Sequence, residues 1–158
     1  MMIEAMSPED TIAFGLALGH ILRAGDVVCL SGDLGAGKTY LTKGIGRGMG
    51  VETEITSPTY TIMQVYDADV PLYHFDLYRI ERPEDLLEIG FEEYVYGRGI
   101  CVIEWADKFP GVIPEAYLSI QLKYTGDQGI GRRIELSAVG ERYRQRLEEL
   151  KNHVCTRD

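Results

Sequence analysis

The order of elements readable in this sequence predicts an α/β fold around a mixed, partly antiparallel central sheet. Three observations carry the prediction. Val27 to Ser31 is a short, mostly apolar run that leads straight into a glycine-rich loop and then into a helical pattern from Lys38 to about Met49. Ile100 to Trp105, ICVIEW, is a second short apolar run with a carboxylate near its C-terminal end. Tyr117 to Tyr124 alternates apolar with polar residues, and Ile130 to Ser137 reads as its partner strand across a glycine-rich turn.

Taken in order, Ser7 followed by Pro8, Glu9 and Asp10 is a helix start. It offers a side-chain oxygen to the free amides, a proline in the first turn and carboxylates at the positive end of the dipole. Ile12, Leu16, Leu18 and Leu22 continue that helix to Gly25. Val27 to Ser31 is too short for a helix and suits a strand buried on both faces. Glu52 to Thr59 has no periodicity and reads as a loop, with Pro58 holding the residue before it extended. Tyr60 to Tyr66 and Leu72 to Asp76 form two strands of a hairpin joined by the polar turn DAD. Pro83 to Gly90 is a short helix between a proline start and a glycine stop, and Glu141 to Lys151 is a charged terminal helix read as a solvated face.

The 158 residues fit one domain, 1–158, long enough to bury a core without disulfides or metals. With 45% apolar and 26% charged residues the composition is that of a soluble globular protein, with no low-complexity tract. A net charge of −9 repels a phosphate backbone, so the chain is not expected to grip nucleic acid alone. Cys29, Cys101 and Cys155 lie far apart with no CxxC pair and no histidine at ligand spacing, which excludes a zinc-type cluster. The N-terminal MMIEAMSPED is acidic where a signal peptide is basic, and the longest apolar stretch, Ile12 to Leu22, is amphipathic and broken by glycines. A cytoplasmic protein with no membrane span is expected.

The chemistry centres on GDLGAGKT, Gly32 to Thr39, which matches the P-loop pattern GxxxxGK(S/T) between a strand and a helix. In such a loop Gly32, Asp33, Leu34, Gly35, Ala36 and Gly37 curl the backbone so that amides point at phosphate oxygens, backed by the positive end of the helix. Lys38 adds a point charge there, Thr39 offers a hydroxyl to magnesium, and Tyr40 follows among the nucleotide-binding candidates. The fold expectation narrows to a P-loop NTPase-like three-layer sandwich. The guanine-reading NKxD motif is missing, and the only asparagine is Asn152, so ATP is the expected nucleotide.

Hydrolysis also needs a carboxylate near the metal and a group that orients water. Glu104 ends an apolar strand, where α/β sheets place their ligand sites, and is the metal candidate. Asp76, ending HFD in the same manner, is the candidate for positioning water; with Lys38 these are the catalytic candidates. Each carboxylate also has a plainer reading, as a solvated strand end or a turn cap. Ser57 and Thr59 occupy the chain position of a segment that senses the γ-phosphate, or of an ordinary turn. Trp105 is core or a mobile aromatic over the site, His74 reads as structural, and Arg79 as a surface residue or a charge on the phosphoryl group.

GDLGAGKT, SPTYT, HFDLYR and IEW, in that order and spacing, resemble the bacterial TsaE family, the ATPase of tRNA threonylcarbamoyladenosine biosynthesis. The resemblance runs from about Glu9 to about Tyr124, with a weaker trace around Gly131 to Gly140. It implies a cytoplasmic protein that binds ATP and magnesium and associates with the TsaB and TsaD proteins. It also implies that hydrolysis resets that synthase complex between turnovers, and that tRNA is reached only through the complex. Carried over, Thr39 and Glu104 match the magnesium positions, Lys38 the phosphate lysine, and Asp76 the aspartate implicated in hydrolysis. Ser57 to Thr59 match the switch-like segment, Trp105 the tryptophan after the metal glutamate, and Thr11 and Arg132 positions near the nucleotide. The tail from Glu141 matches no pattern of the family.

Two other readings stay open on the residues alone. One is a small-molecule kinase, although between Glu81 and Gly99 only Arg82 and Arg98 could furnish an arginine-bearing lid. The other is a nucleotide switch that gates docking without hydrolysis. With no clear arginine finger in the chain, hydrolysis by the protein alone is expected to be slow.

Overall fold

A computed structural model describes residues 1–33, 35–125 and 131–155 of the chain. Leu34, one of the expected phosphate-loop residues, and Ile130, the expected start of the last strand, lie outside the described residues.

Among the described residues a seven-stranded sheet has the order β1-β7-β6-β2-β5-β4-β3. The strands are β1 (Met2–Ala5), β2 (Val27–Gly32), β3 (Met63–Tyr66), β4 (Leu72–Asp76), β5 (Ile100–Glu104), β6 (Tyr117–Thr125) and β7 (Gly131–Val139). β2 lies parallel to β5 and β6, and β4 parallel to β5. Antiparallel pairs β3–β4 on one side and β6–β7–β1 on the other complete the mixed sheet. The helices are α1 (Pro8–Ile21), α2 (Lys38–Met49), α3 (Pro83–Glu88), α4 (Phe91–Val95) and α5 (Glu141–Cys155).

β2 explains why its run is apolar throughout. Val28 and Leu30 join a core with Leu18 of α1, Leu41 and Ile45 of α2 and Leu150 of α5. Val27 and Cys29 join the other core, with Phe75, Leu86 of α3 and Phe91 of α4. Alternate residues thus bury on opposite faces, and the sheet is the middle of three layers.

Helices α1 and α2 approach through glycine on both sides. A Cβ on Gly15 would lie 2.5 Å from the Leu41 carbonyl oxygen, and one on Gly44 would lie 2.2 Å from that of Ile12. Gly19 and Gly48 repeat the arrangement one turn on, at 2.3 Å each from the carbonyl oxygens of Ile45 and Leu16. The motifs GLALG and GIGRG therefore set the backbone-to-backbone seating of the helix that follows the phosphate loop.

The expected helix start is present: the Asp10 amide donates to Ser7 Oγ at 3.1 Å, and Asp10 Oδ2 accepts the Met6 amide at 2.9 Å. Several other expectations need correction. α1 stops at Ile21 and does not reach Gly25, because the Arg23 amide donates to Asp26 Oδ2 at 2.8 Å and draws the chain into a turn. The first hairpin strand begins at Met63, not Tyr60, because the Ile62 amide bonds the Pro58 carbonyl at 2.7 Å and closes a turn. Gly90, with φ 72° and its amide donating to the Leu87 carbonyl at 3.2 Å, does stop α3, but it is also the N-cap of α4, a helix the sequence does not announce. β1 was also unanticipated; it is four residues long and exists by pairing with β7, where Met2 opposes Glu135.

The terminal helix is not a solvated surface element. Tyr143, Arg146 and Leu150 of α5 are buried. Asp26, fully buried, receives Arg146 Nε at 2.8 Å and Arg142 Nε at 2.7 Å. Tyr143 Oη accepts the Val27 amide at 2.8 Å. No helix among the described residues is long and apolar enough to cross a membrane.

Candidate functional site

The C-terminal ends of β2, β4 and β5 open onto one cavity of about 590 Å³. β2 delivers the glycine loop, and α2 begins at Lys38 with its free amides facing the cavity end of the sheet. Gly35 has φ 81° and Gly37 φ 102°, conformations that side-chain-bearing residues rarely adopt. These two glycines let the chain turn back into a helix within a few residues.

Lys38, only 7% exposed, places Nζ 3.7 Å from Glu104 Oε1 and 4.8 Å from the centre of the Trp105 ring. Glu104 and Asp76 are directly opposite each other across the parallel pair β4–β5, and both are 4% exposed. The buried Glu104 carboxylate has two partners, since its Oε2 lies 2.7 Å from His74 Nε2. A carboxylate this far from water requires such partners.

Asp76 is held from two directions. Its Oδ1 accepts the Tyr78 amide at 3.0 Å, and its Oδ2 accepts the Thr59 hydroxyl at 3.2 Å. Thr59 Oγ1 lies in turn 2.6 Å from Ser57 Oγ. The loop after α2 is thereby tied to the end of β4. A second tie runs through the backbone, where the Asp76 amide donates to the Ile62 carbonyl at 2.8 Å. Ile62, a β-branched residue, has φ 68°, and Trp105, directly after Glu104, has φ 61°. These two are the positive-φ residues other than glycine among those described, and each adjoins one of the two carboxylates.

Most of the sequence-expected residues converge here. Asp33, Gly35, Gly37, Lys38, Thr39 and Tyr40 line the cavity from the loop and α2. Ser57, Thr59, Asp76, Glu104 and Trp105 line it from the opposite side. Gly32 ends β2, and Ala36 is buried in the core beneath the loop. Arg132 stands outside the cavity lining, on β7. Its Nε donates to the Ala36 carbonyl at 2.9 Å and its guanidinium lies 4.1 Å from the Tyr124 ring, bracing the loop from behind. Thr11 is buried in α1 with its hydroxyl 3.5 Å from the Ser7 carbonyl, and it does not line the cavity. Arg79 does not line it either and stacks on Tyr60 at 4.4 Å.

Tyr60 and Tyr78 also line the cavity and were not anticipated. For Tyr78 the signal was present: His74, Asp76 and Tyr78 recur every second residue, the spacing of one sheet face. Cys29 and Cys101 contribute no reactive group. Burial pushes both thiols up to about 12, so neither is a thiolate near neutral pH.

Chemically, the loop and Lys38 suit phosphate oxygens, and Thr39 with Glu104 presents oxygen donors of the kind a hard divalent cation takes. Among the described residues no group of three or more histidine, cysteine, aspartate or glutamate side chains could hold a metal ion. A cation here would therefore share its oxygens with a bound phosphate, as magnesium commonly does.

The family model for threonylcarbamoyl adenosine biosynthesis protein TsaE matches residues 5–134. The tRNA threonylcarbamoyladenosine biosynthesis protein TsaE of Bacillus subtilis is 42% identical over 149 residues, covering 94% of this chain and 92% of that protein. The protein of the same name from Treponema pallidum is 43% identical over 127 residues, covering 80% and 94%. The crystal structure of Bacillus subtilis YdiB superposes with a TM-score of 0.82 at 39% identity, covering 97% of this chain and 95% of that one.

Proposed function

Since the chain belongs to the TsaE family, we propose that it is the cytoplasmic, single-domain ATPase subunit of tRNA threonylcarbamoyladenosine biosynthesis, whose hydrolysis cycle resets a complex with TsaB and TsaD proteins. The observation that most supports this reading is the meeting of Lys38, Thr39, Asp76 and Glu104 around one cavity at the end of a P-loop strand.

In this reading the loop amides and Lys38 bind the β and γ phosphates, and Thr39 and Glu104 are the residues that would hold magnesium. The metal, when bound, would neutralise charge on the phosphate oxygens. Asp76 orients the attacking water, its carboxylate held by Thr59 and the Tyr78 amide. The Ser57–Thr59 loop, bonded to Asp76, carries the state of the γ phosphate to the surface. The −9 charge fits a protein that reaches tRNA through its partners.

The kinase alternative finds little support, because Lys38 is the only basic side chain lining the cavity among the described residues. The test is ATP hydrolysis by the purified protein with magnesium, alone and with the TsaB and TsaD proteins added. A low rate alone and a large stimulation by the partners is expected. Absence of both nucleotide binding and stimulation would overturn the proposal.

A further inference from the structure

His74 is fully buried on β4, two residues before Asp76, is not among the residues lining the cavity, and is linked to that lining by its contact with Glu104. β4 and β5 are parallel, with Asp76 opposite Glu104 and His74 opposite Val102. The imidazole therefore sits one step inside the sheet from Glu104, on the face that turns toward α2. From there Nε2 lies 2.7 Å from Glu104 Oε2, while Glu104 Oε1 lies 3.7 Å from Lys38 Nζ.

The other ring nitrogen decides how this contact is read. Nδ1 is buried and has no hydrogen-bond partner among the described residues. Glu104 is thus the one polar group that this ring engages among those residues, and a hydrogen on Nε2 makes the ring the donor to the carboxylate. A glutamate at a strand end has freely turning side-chain bonds. One oxygen anchored from below leaves the other facing the cavity in a set direction, as an outer partner does for a metal-ligating group.

We propose that His74 is a positioning residue of the nucleotide site: through Nε2–H it fixes the Glu104 carboxylate so that Oε1 is presented to the cation bound with the nucleotide. The proposal rests on the reading of Glu104 as a magnesium residue.

The experiment is equilibrium binding of a fluorescent, non-hydrolysable ATP analogue, titrated with magnesium, for the wild type and for His74→Phe, His74→Gln, His74→Asn and Glu104→Ala. The phenyl ring fills the space without a donor, glutamine carries an amide nitrogen at about the reach of Nε2, and asparagine falls short of it. His74→Phe should raise the magnesium concentration for half-maximal binding by about tenfold while leaving the weaker binding in EDTA unchanged. His74→Gln should return to the wild-type titration, and His74→Asn should not. In the Glu104→Ala background, His74→Phe should add no further effect. A wild-type titration for His74→Phe overturns the proposal. If that variant does not fold, equal titrations for the glutamine and asparagine variants overturn it. Failure of the underlying reading looks different: wild-type binding would then be indifferent to magnesium, or Glu104→Ala would titrate like wild type.

Discussion

Asp76 and Lys38 face the same cavity but are held by different means, and that difference separates their expected effects. Lys38 is part of the helix start and faces the place where phosphate charge would lie, so Lys38→Ala should weaken ATP binding by about 2 kcal/mol. Asp76 is anchored by Thr59 and the Tyr78 amide at the side. Asp76→Ala should keep near-wild-type affinity and lower turnover by about a hundredfold or more. Calorimetric binding and phosphate release measured on both variants test this, and an equal loss of affinity in the two would refute the division of roles. The cysteines give a pH prediction. Both thiols lie above their ordinary value of 9.0, at about 12, because burial disfavours the thiolate. Between those values the unfolded chain releases protons that the folded chain keeps, so stability falls as pH rises from 9 toward 12. The urea midpoint should decline over that window, and less so in the Cys29→Ala, Cys101→Ala double variant; equal declines would show that the thiols are not the cause. Lys38, Thr39, Asp76 and Glu104 were legible in the sequence because a loop pattern and two strand ends mark them locally. The role of His74 was not, because its partner lies 30 residues away across the β4–β5 pair.

The contact between α1 and α2 depends on the absence of side chains at four positions. At Gly15 and Gly44 the atom that a Cβ would meet is a backbone carbonyl oxygen inside a helix, at 2.5 and 2.2 Å, which cannot swing aside as a side chain can. Alanine at either position should force the helices apart and lower stability by about 1–3 kcal/mol or more. Gly111 is the control, since a Cβ there meets nothing within 4 Å; Gly111→Ala should stay within about 0.5 kcal/mol of wild type. Urea unfolding reads both, and a Gly44→Ala midpoint equal to that of Gly111→Ala would show that the helices have room. Because α2 carries Lys38 and Thr39 at its start, the displaced variant should also bind nucleotide more weakly. The elements themselves were largely readable, since α1, α2, β2, β5 and the β6–β7 pair declare themselves by apolar period and by glycine and proline punctuation. What escaped was set by distant partners or competing local bonds. β1 forms through β7, α1 ends early because Asp26 captures an amide, and the five-residue α4 starts at the same glycine that stops α3.

The strand β2 joins two regions with separate duties. Its C-terminal end supplies the phosphate loop, while its N-terminal end abuts Asp26, where α5 docks through Arg142, Arg146 and Tyr143. The docking was illegible in the sequence because α5 reads as a charged face, and its partner for Arg146 lies 120 residues earlier. A carboxylate that is fully buried makes this contact consequential, for truncating one guanidinium leaves its charge partly uncompensated. Arg146→Ala should therefore lower stability by about 3 kcal/mol. Arg142 still reaches Asp26 Oδ1 at 2.7 Å, so the variant should fold. The nucleotide site, at the far end of β2, should be untouched. Saturating nucleotide stabilises a protein by an amount set only by ligand concentration and affinity. The ligand-induced gain in unfolding free energy, read from urea titrations with and without magnesium and an ATP analogue, should therefore match wild type in Arg146→Ala. A smaller gain would mean that α5 and the phosphate loop are coupled through β2. A gain of equal size on a lowered baseline would establish the terminal helix as a clamp on the fold that leaves the site to the opposite end of the sheet.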